Sequence, residues 1–165
     1  MKNLLVLRHA KSSWENAELA DFERPLNKRG LETIQLIGQE MYNLNLNIDF
    51  VLSSPAKRAK QTAILVKESG GIICEIQYED GIYEASVMKL LHIVSEINDK
   101  FSSVLLVGHN PGFEELIRVL TGKIQVMPTA TLAKIDLRIE NWSEITSNCG
   151  TLDFAITPRE LKKQD

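Results

Sequence analysis

Two histidines each close an apolar run in this chain: Leu4-Leu5-Val6-Leu7-Arg8-His9 and Val104-Leu105-Leu106-Val107-Gly108-His109. With Arg58, and with Glu84 and Lys11 as further candidates, they form a set suited to phosphoryl chemistry. A phosphoryl group carries about two negative charges near neutral pH. Guanidinium groups bind its oxygens in pairs and stay charged at any working pH. Arg8 and Arg58, placed on separate elements, can therefore clamp one phosphate. A histidine can attack phosphorus in line if its attacking nitrogen is unprotonated. Its other ring nitrogen must then hold the proton, usually by donating to a carbonyl. A second histidine, if protonated, adds positive charge where oxyanions crowd in the transition state. This chemistry needs no metal, and the sequence offers no carboxylate cluster to hold one.

Each residue also has a plainer reading. A lone histidine is more often structural, Arg8 a surface charge, Arg58 half of a helix-face ion pair, and Glu84 a solvated connector carboxylate. Lys11 either touches phosphate or is simply solvated. Coincidence shifts the balance: two of the three histidines end apolar runs, and one has an arginine beside it. The third, His92, lies at the margin of a helical stripe and reads as surface.

The positioning elements follow from periodicity. Short apolar runs with a polar end suit strands buried in a parallel sheet, and in open α/β sheets chemistry collects beyond the strands' carboxyl ends. A long polar loop follows His9 and runs to Pro25; such loops in compact domains are often functional. Asn27 is placed to cap a helix beginning near Arg29, with Leu31, Ile34, Ile37, Met41 and Leu44 inward. Asp49–Ser53 reads as a second strand. Pro55 opens a helix whose inner stripe is Ala59, Thr62, Ala63 and Val66, which puts Arg58 in its first turn. Gly70-Gly71 ends that helix, and Ile72–Ile76 reads as a third strand. After the connector holding Glu84, Ser86 caps a helix with Val87, Leu90, Leu91, Val94 and Ile97 inward. Asn110-Pro111-Gly112 turns the chain from His109 into a helix carrying Phe113, Leu116, Ile117 and Leu120. In the last third, Thr131 to Ile139 and Leu152 to Ile156 alternate with period two, predicting an antiparallel pair at a sheet edge. The polar stretch Glu140–Gly150 connects them, and the tail from Lys162 to Asp165 is expected to fray. One α/β domain over residues 1–165 accommodates all of this.

Bulk properties exclude several classes. The 165 residues are 44% hydrophobic and 25% charged, enough for a real core, and the net charge of −3 implies no broad basic surface for nucleic acid. No apolar stretch approaches the roughly 20 residues of a membrane span, and the N-terminal run is too short for a signal peptide. Cys74 and Cys149 have neither zinc nor phosphatase-loop spacing and read as reduced thiols of a cytoplasmic protein.

Three segments resemble the histidine phosphatase superfamily: Leu7-Arg8-His9-Ala10-Lys11-Ser12, then Leu52-Ser53-Ser54-Pro55-Ala56-Lys57-Arg58-Ala59-Lys60-Gln61-Thr62-Ala63, then Val107-Gly108-His109-Asn110-Pro111. The resemblance implies a three-layer α/β/α, phosphoglycerate-mutase-like fold with a mostly parallel sheet. It implies His9 as nucleophile through a phosphohistidine intermediate, and Arg8, Arg58 and His109 as the phosphate pocket. Glu84 falls where many members carry a general-acid glutamate. Only 25 residues separate Arg58 from Glu84, whereas mutases and sugar bisphosphatases usually insert a cap there. The compact length, the Arg-His-Ala-Lys-Ser start and Glu23-Arg24-Pro25-Leu26 resemble SixA-type phosphohistidine phosphatases.

The function expected is a metal-independent, cofactor-free phosphatase acting on phosphohistidine of a partner protein. A phosphohistidine P–N bond needs little acid help, whereas a phosphomonoester gains much from a general acid. The better-known SixA-type members lack an obvious acid at the Glu84 position, so Glu84 keeps a small phosphorylated metabolite in play as the alternative substrate. A non-catalytic phosphate-binding module is the second alternative. A nucleotide-binding protein finds no support, since no glycine-rich phosphate loop follows the first strand.

Overall fold

The computed structural model describes residues 1–163. Its centre is a six-stranded sheet: β1 (Lys2–Arg8), β2 (Phe50–Ser53), β3 (Ile76–Tyr78), β4 (Ser103–Gly108), β5 (Leu132–Leu137) and β6 (Gly150–Ile156). The spatial order is β3-β2-β4-β1-β5-β6. The first four strands in that order pair in parallel, while β5 and β6 run antiparallel. The period-two alternation of the last third therefore marks an antiparallel edge, as expected.

Helices cover both faces. α1 (Lys28–Asn43) and α2 (Lys57–Ser69) pack with Leu5, Leu7, Leu105 and Val107 on one side. α3 (Val87–Ser95) and α4 (Gly112–Thr121) pack with Leu4, Val6, Val104 and Leu106 on the other. Successive side chains of a strand point to opposite faces, so the unbroken apolar runs of β1 and β4 feed both cores. The result is the expected three-layer α/β/α arrangement.

The caps follow the sequence. The Asn27 side chain accepts a hydrogen bond from the Gly30 N–H at 2.8 Å, and Ser86 accepts from the Lys89 N–H at 3.2 Å. Gly71 takes φ +64° just past α2, a conformation that glycine adopts without strain. Gly30 serves a different need: a Cβ there would lie 2.2 Å from the Lys11 carbonyl oxygen, so only glycine lets α1 start against the loop after β1.

Several details depart from the sequence reading. The third strand is Ile76–Tyr78, and Ile73 is 94% exposed rather than part of it. β3 is a short edge strand whose partner is β2 alone, so it needs no fully apolar run. Leu31 and Leu44 are 40% and 43% exposed, while Gly30, Thr33 and Gly38 take inward places on α1, the two glycines where neighbouring chain leaves no room for a side chain. The polar 140–150 connector sends Trp142 into the core, with its indole N–H donating to the Phe101 carbonyl at 2.8 Å. Lys162 is the last residue of a short helix, α5 (Pro158–Lys162), instead of a frayed tail; Gln164 and Asp165 lie outside the described residues. No helix among the described residues is long and apolar enough to cross a membrane.

Candidate active site

Strand register brings the two histidines together. Arg8 pairs with Gly108 across β1 and β4, and the next residue on each strand is a histidine. Their rings lie 5.2 Å apart between centroids, tilted by 53°. Ser54 continues β2 at the same level, its N–H donating to the Val107 carbonyl at 2.9 Å. The first turn of α2 then brings in Arg58. A cavity of about 340 Å³ beyond these strand ends is lined by Arg8, His9, Lys11, Arg58 and His109, and also by Ser12, Trp14, Arg24, Asn110 and Thr129. A larger cleft of about 880 Å³, between β3 and α3, holds His92 but none of these strand-end groups.

The His9 ring has a defined tautomer. Its Nδ1 lies 2.7 Å from the Ala10 carbonyl oxygen. A carbonyl only accepts, so Nδ1 carries the proton and Nε2 is the unprotonated nitrogen of the neutral ring. Burial holds the ring neutral, lowering its pKa to about 4; the Ala10 bond opposes the shift, and the charges of Arg58, Arg8 and Arg24 add to it. Burial, with the nearby His9 and Arg58, lowers His109 further, to about 3. His109 Nε2 lies 2.7 Å from the Ser54 Oγ, and its Nδ1 is buried with no partner among the described residues.

Arg8 donates from Nη1 to the Met127 carbonyl at 2.9 Å, while its buried Nε has no partner among the described residues. Burial lowers its pKa, and Glu114 opposes that shift. Glu114 also orders the neighbouring loop, accepting from the Asn110 side-chain amide at 2.9 Å and from the Met127 N–H at 2.8 Å. Lys11 is exposed on the cavity wall.

A group not singled out from the sequence organises the other wall. Asp21 Oδ2 accepts from Arg58 Nη2 at 3.0 Å and from the Tyr83 hydroxyl at 2.5 Å, while Oδ1 accepts from Arg24 Nη1 at 3.0 Å. The Asp21 carbonyl takes Arg58 Nη1 at 2.7 Å. The Tyr83 bond and the two guanidinium groups hold the carboxyl at about 2, against a smaller opposing effect of burial. Arg24 is itself fully engaged, donating from Nε to the Ser13 carbonyl and from Nη2 to Ser12 Oγ, with its Cζ 3.2 Å from the Trp14 ring centroid. In the sequence, Arg24 was legible only as part of a subfamily resemblance, and Asp21 carried no signal beyond its place in a long polar loop.

Glu84 stands apart. It is exposed, has φ +56°, and is absent from the cavity lining. Its neighbour Tyr83 faces the site instead, edge-on to His109 with ring centroids 5.5 Å apart. Cys74 and Cys149 are unpaired, and no metal-holding group of histidine, cysteine and carboxylate side chains occurs among the described residues.

Fold and site together define an α/β protein with two strand-end histidines and three arginines around one cavity. The model for the histidine phosphatase superfamily (branch 1) matches residues 4–110, and the chain belongs to that superfamily. It is 29% identical over 165 residues to the uncharacterized protein Rv1276c of Mycobacterium tuberculosis, covering 93% of this chain and all (100%) of the relative. It is 28% identical over 152 residues to the uncharacterized chloroplastic protein At3g52155 of Arabidopsis thaliana, covering 87% of this chain and 70% of the relative. Among solved structures it is similar to a protein from Agrobacterium tumefaciens assigned as phosphohistidine phosphatase SixA, with 27% identity, a TM-score of 0.82, and 95% and 98% of the two chains covered. The fold also matches mycobacterial glucosyl-3-phosphoglycerate phosphatase Rv2419c, with a TM-score of 0.69 at 14% identity, over 93% of this chain and 98% of that one.

Proposed function

We propose that this member of a phosphatase superfamily removes phosphate from phosphohistidine on a partner protein, through a phosphorylated His9 and without a metal or other cofactor. The observation that carries the reading is the His9–Ala10 bond. It fixes the proton on Nδ1 and leaves the Nε2 lone pair for attack on phosphorus. Arg8 and Arg58 receive the phosphoryl oxygens, with Lys11 at the rim. His109, kept neutral by burial, becomes easier to protonate once a dianion lies beside it.

The steps balance. Nε2 of His9 forms a bond to phosphorus as the bond to the substrate imidazole breaks. That imidazole, protonated on its other nitrogen, departs neutral. Water then bonds to phosphorus, the bond to Nε2 breaks, and both water protons leave with dihydrogen phosphate. His9 returns to its starting tautomer, because Nδ1 kept its proton throughout.

Two features favour a protein-borne phosphate over a metabolite. Trp14 is 77% exposed at the cavity wall, and Ile124 and Val126 are 86% and 65% exposed in the segment leading to Met127, whose carbonyl holds Arg8. Apolar surface around a cationic pocket suits a macromolecular partner better than a hydrophilic metabolite. The exposed place of Glu84, outside the cavity lining, weighs the same way, since a phosphomonoesterase of this kind would need an acid at the leaving group. The unpaired thiols fit a cytoplasmic setting.

The test is phosphate release with chelator present, comparing a histidine-phosphorylated protein with phosphoserine and a panel of sugar phosphates, and with H9A as control. Release from phosphohistidine alone, lost in H9A, is the expected result. A preference for a sugar phosphate would move the protein to the metabolic alternative. Phosphoprotein binding without release and without a labelled His9 would leave a binding module.

A further inference from the structure

Four basic side chains line the small cavity: Arg8, Lys11, Arg24 and Arg58. They are not equally available to a ligand. Arg58 commits both Nη atoms to Asp21, one to its carboxylate and one to its carbonyl. Arg24 spends its donors on Ser13, Asp21 and Ser12. One carboxylate thus offsets two guanidinium charges on the same wall. Tyr83 donates to the same carboxylate oxygen as Arg58, so Asp21 joins the loop after β1, the start of α2 and the connector before α3.

We propose that Asp21 is a specificity-determining residue: its fixed negative charge makes the cavity selective for a lone phosphoryl group and against ligands with a second anionic group next to the phosphate, such as polyphosphates, bisphosphates and phosphorylated acids. The inference rests on the phosphate-pocket reading above and narrows its substrate class. A phosphoryl group can share Arg58 with Asp21, because the guanidinium Nε and the second hydrogen on each Nη remain for phosphate oxygens. A second anionic group would need a further cation. Arg24 has each of its nitrogens engaged already, one of them with Asp21, and Asp21 itself repels the newcomer; Lys11 is exposed, so solvent weakens its pull. An imidazole leaving group brings no such charge.

The Asp21 side chain is 50% exposed, so solvent and salt screen its field and the selectivity is moderate. The test is equilibrium binding of inorganic phosphate and of pyrophosphate, by calorimetry with chelator present, to wild type, D21N and Y83F. D21N removes the charge and keeps an oxygen acceptor. D21S, whose hydroxyl also accepts from Arg58, takes its place if D21N does not fold. The expected result is that D21N raises the affinity for pyrophosphate relative to phosphate by about fivefold at low salt, and less at high salt. Y83F keeps the charge and leaves the ratio within about twofold. An equal change in both affinities on removing the charge would make Asp21 a scaffold only and overturn the proposal. If wild type binds neither anion, the phosphate-pocket reading falls and takes this one with it; if it binds both and the ratio does not move, this one falls alone.

Discussion

Ser54 and His109, 55 residues apart in the chain, meet with Oγ and Nε2 2.7 Å from each other, and both are buried. The contact ties the end of β2 to the end of β4. Substituting Ser54 by alanine removes the partner and leaves a buried ring nitrogen unpaired. S54A is expected to cost about 1–3 kcal/mol of stability, read by urea unfolding. It should also lower turnover more than substrate affinity, because His109 loses the contact that orients its ring. An unfolding midpoint equal to wild type would show that the bond contributes nothing.

The pH dependence follows from the two depressed histidines. Both fold as neutral rings, held near 4 for His9 and near 3 for His109 against an ordinary value of 6.5. Below 6.5 the unfolded chain binds protons that the native state refuses, so stability falls as pH falls. Their contribution is fully present above about pH 7 and declines through the window from 6.5 towards 3. The slope is on the order of 1 kcal/mol per pH unit for each histidine. Chemical denaturation at pH 7.5 and pH 5 should show it, and H9A and H109A should each flatten the curve. A stability equal at both pH values would contradict the neutral assignment.

Activity should respond differently from stability. His9, the proposed nucleophile, keeps a neutral ring with a free Nε2 lone pair down to about pH 4. Once the substrate's own ionisation is divided out, kcat/KM should therefore be level from pH 8 to 5. An inflection near the ordinary histidine value of 6.5 that vanishes in H109A would assign it to His109 instead.

Arg58 reaches Asp21 through two nitrogens at 2.7 and 3.0 Å. Lysine keeps the charge but not the fork. R58K is expected to lower kcat/KM by roughly 30- to 100-fold while the protein remains folded. A loss of less than threefold would mean that charge alone suffices there.

Glu84 separates the two substrate classes. Exposed and outside the cavity lining, it should be replaceable by glutamine with less than about twofold effect on phosphohistidine release. A sharp loss of turnover in E84Q on a sugar phosphate would place the carboxylate in the reaction and favour the metabolic alternative.

Much of this arrangement was legible in the chain, for definite reasons. Apolar runs ending in histidine announced β1 and β4, because a strand buried on both faces leaves no room for polar residues until it emerges. The first turn of α2 announced Arg58. The apolar pair Ile72-Ile73 draws the third strand too early, because an edge strand can be built from Gln77 and Tyr78 while Ile72 and Ile73 lie in the irregular link before it, one buried and one exposed. Asp21 was invisible for another reason. Its partners Arg58 and Tyr83 lie 37 and 62 residues away, and a single aspartate in a polar loop has no period to betray it. Glu84 was placed by analogy of position, and the left-handed backbone there turns on three-dimensional context that spacing does not carry.

The pairing of Arg8 with Gly108 has one more consequence. Because each histidine is the next residue after a paired position, their separation derives from the distance between neighbouring hydrogen-bonded strands, roughly 4.8 Å in any sheet. The backbone acts as a ruler for the histidine pair. No side-chain exchange in the surrounding core can reset that gauge, whereas inserting or deleting one residue in β1 or β4 would swing a histidine to the opposite face of the sheet. Sensitivity in this protein should therefore be lopsided: the spacing of the two histidines outlasts apolar exchanges within the strands, and is lost with any change in their length.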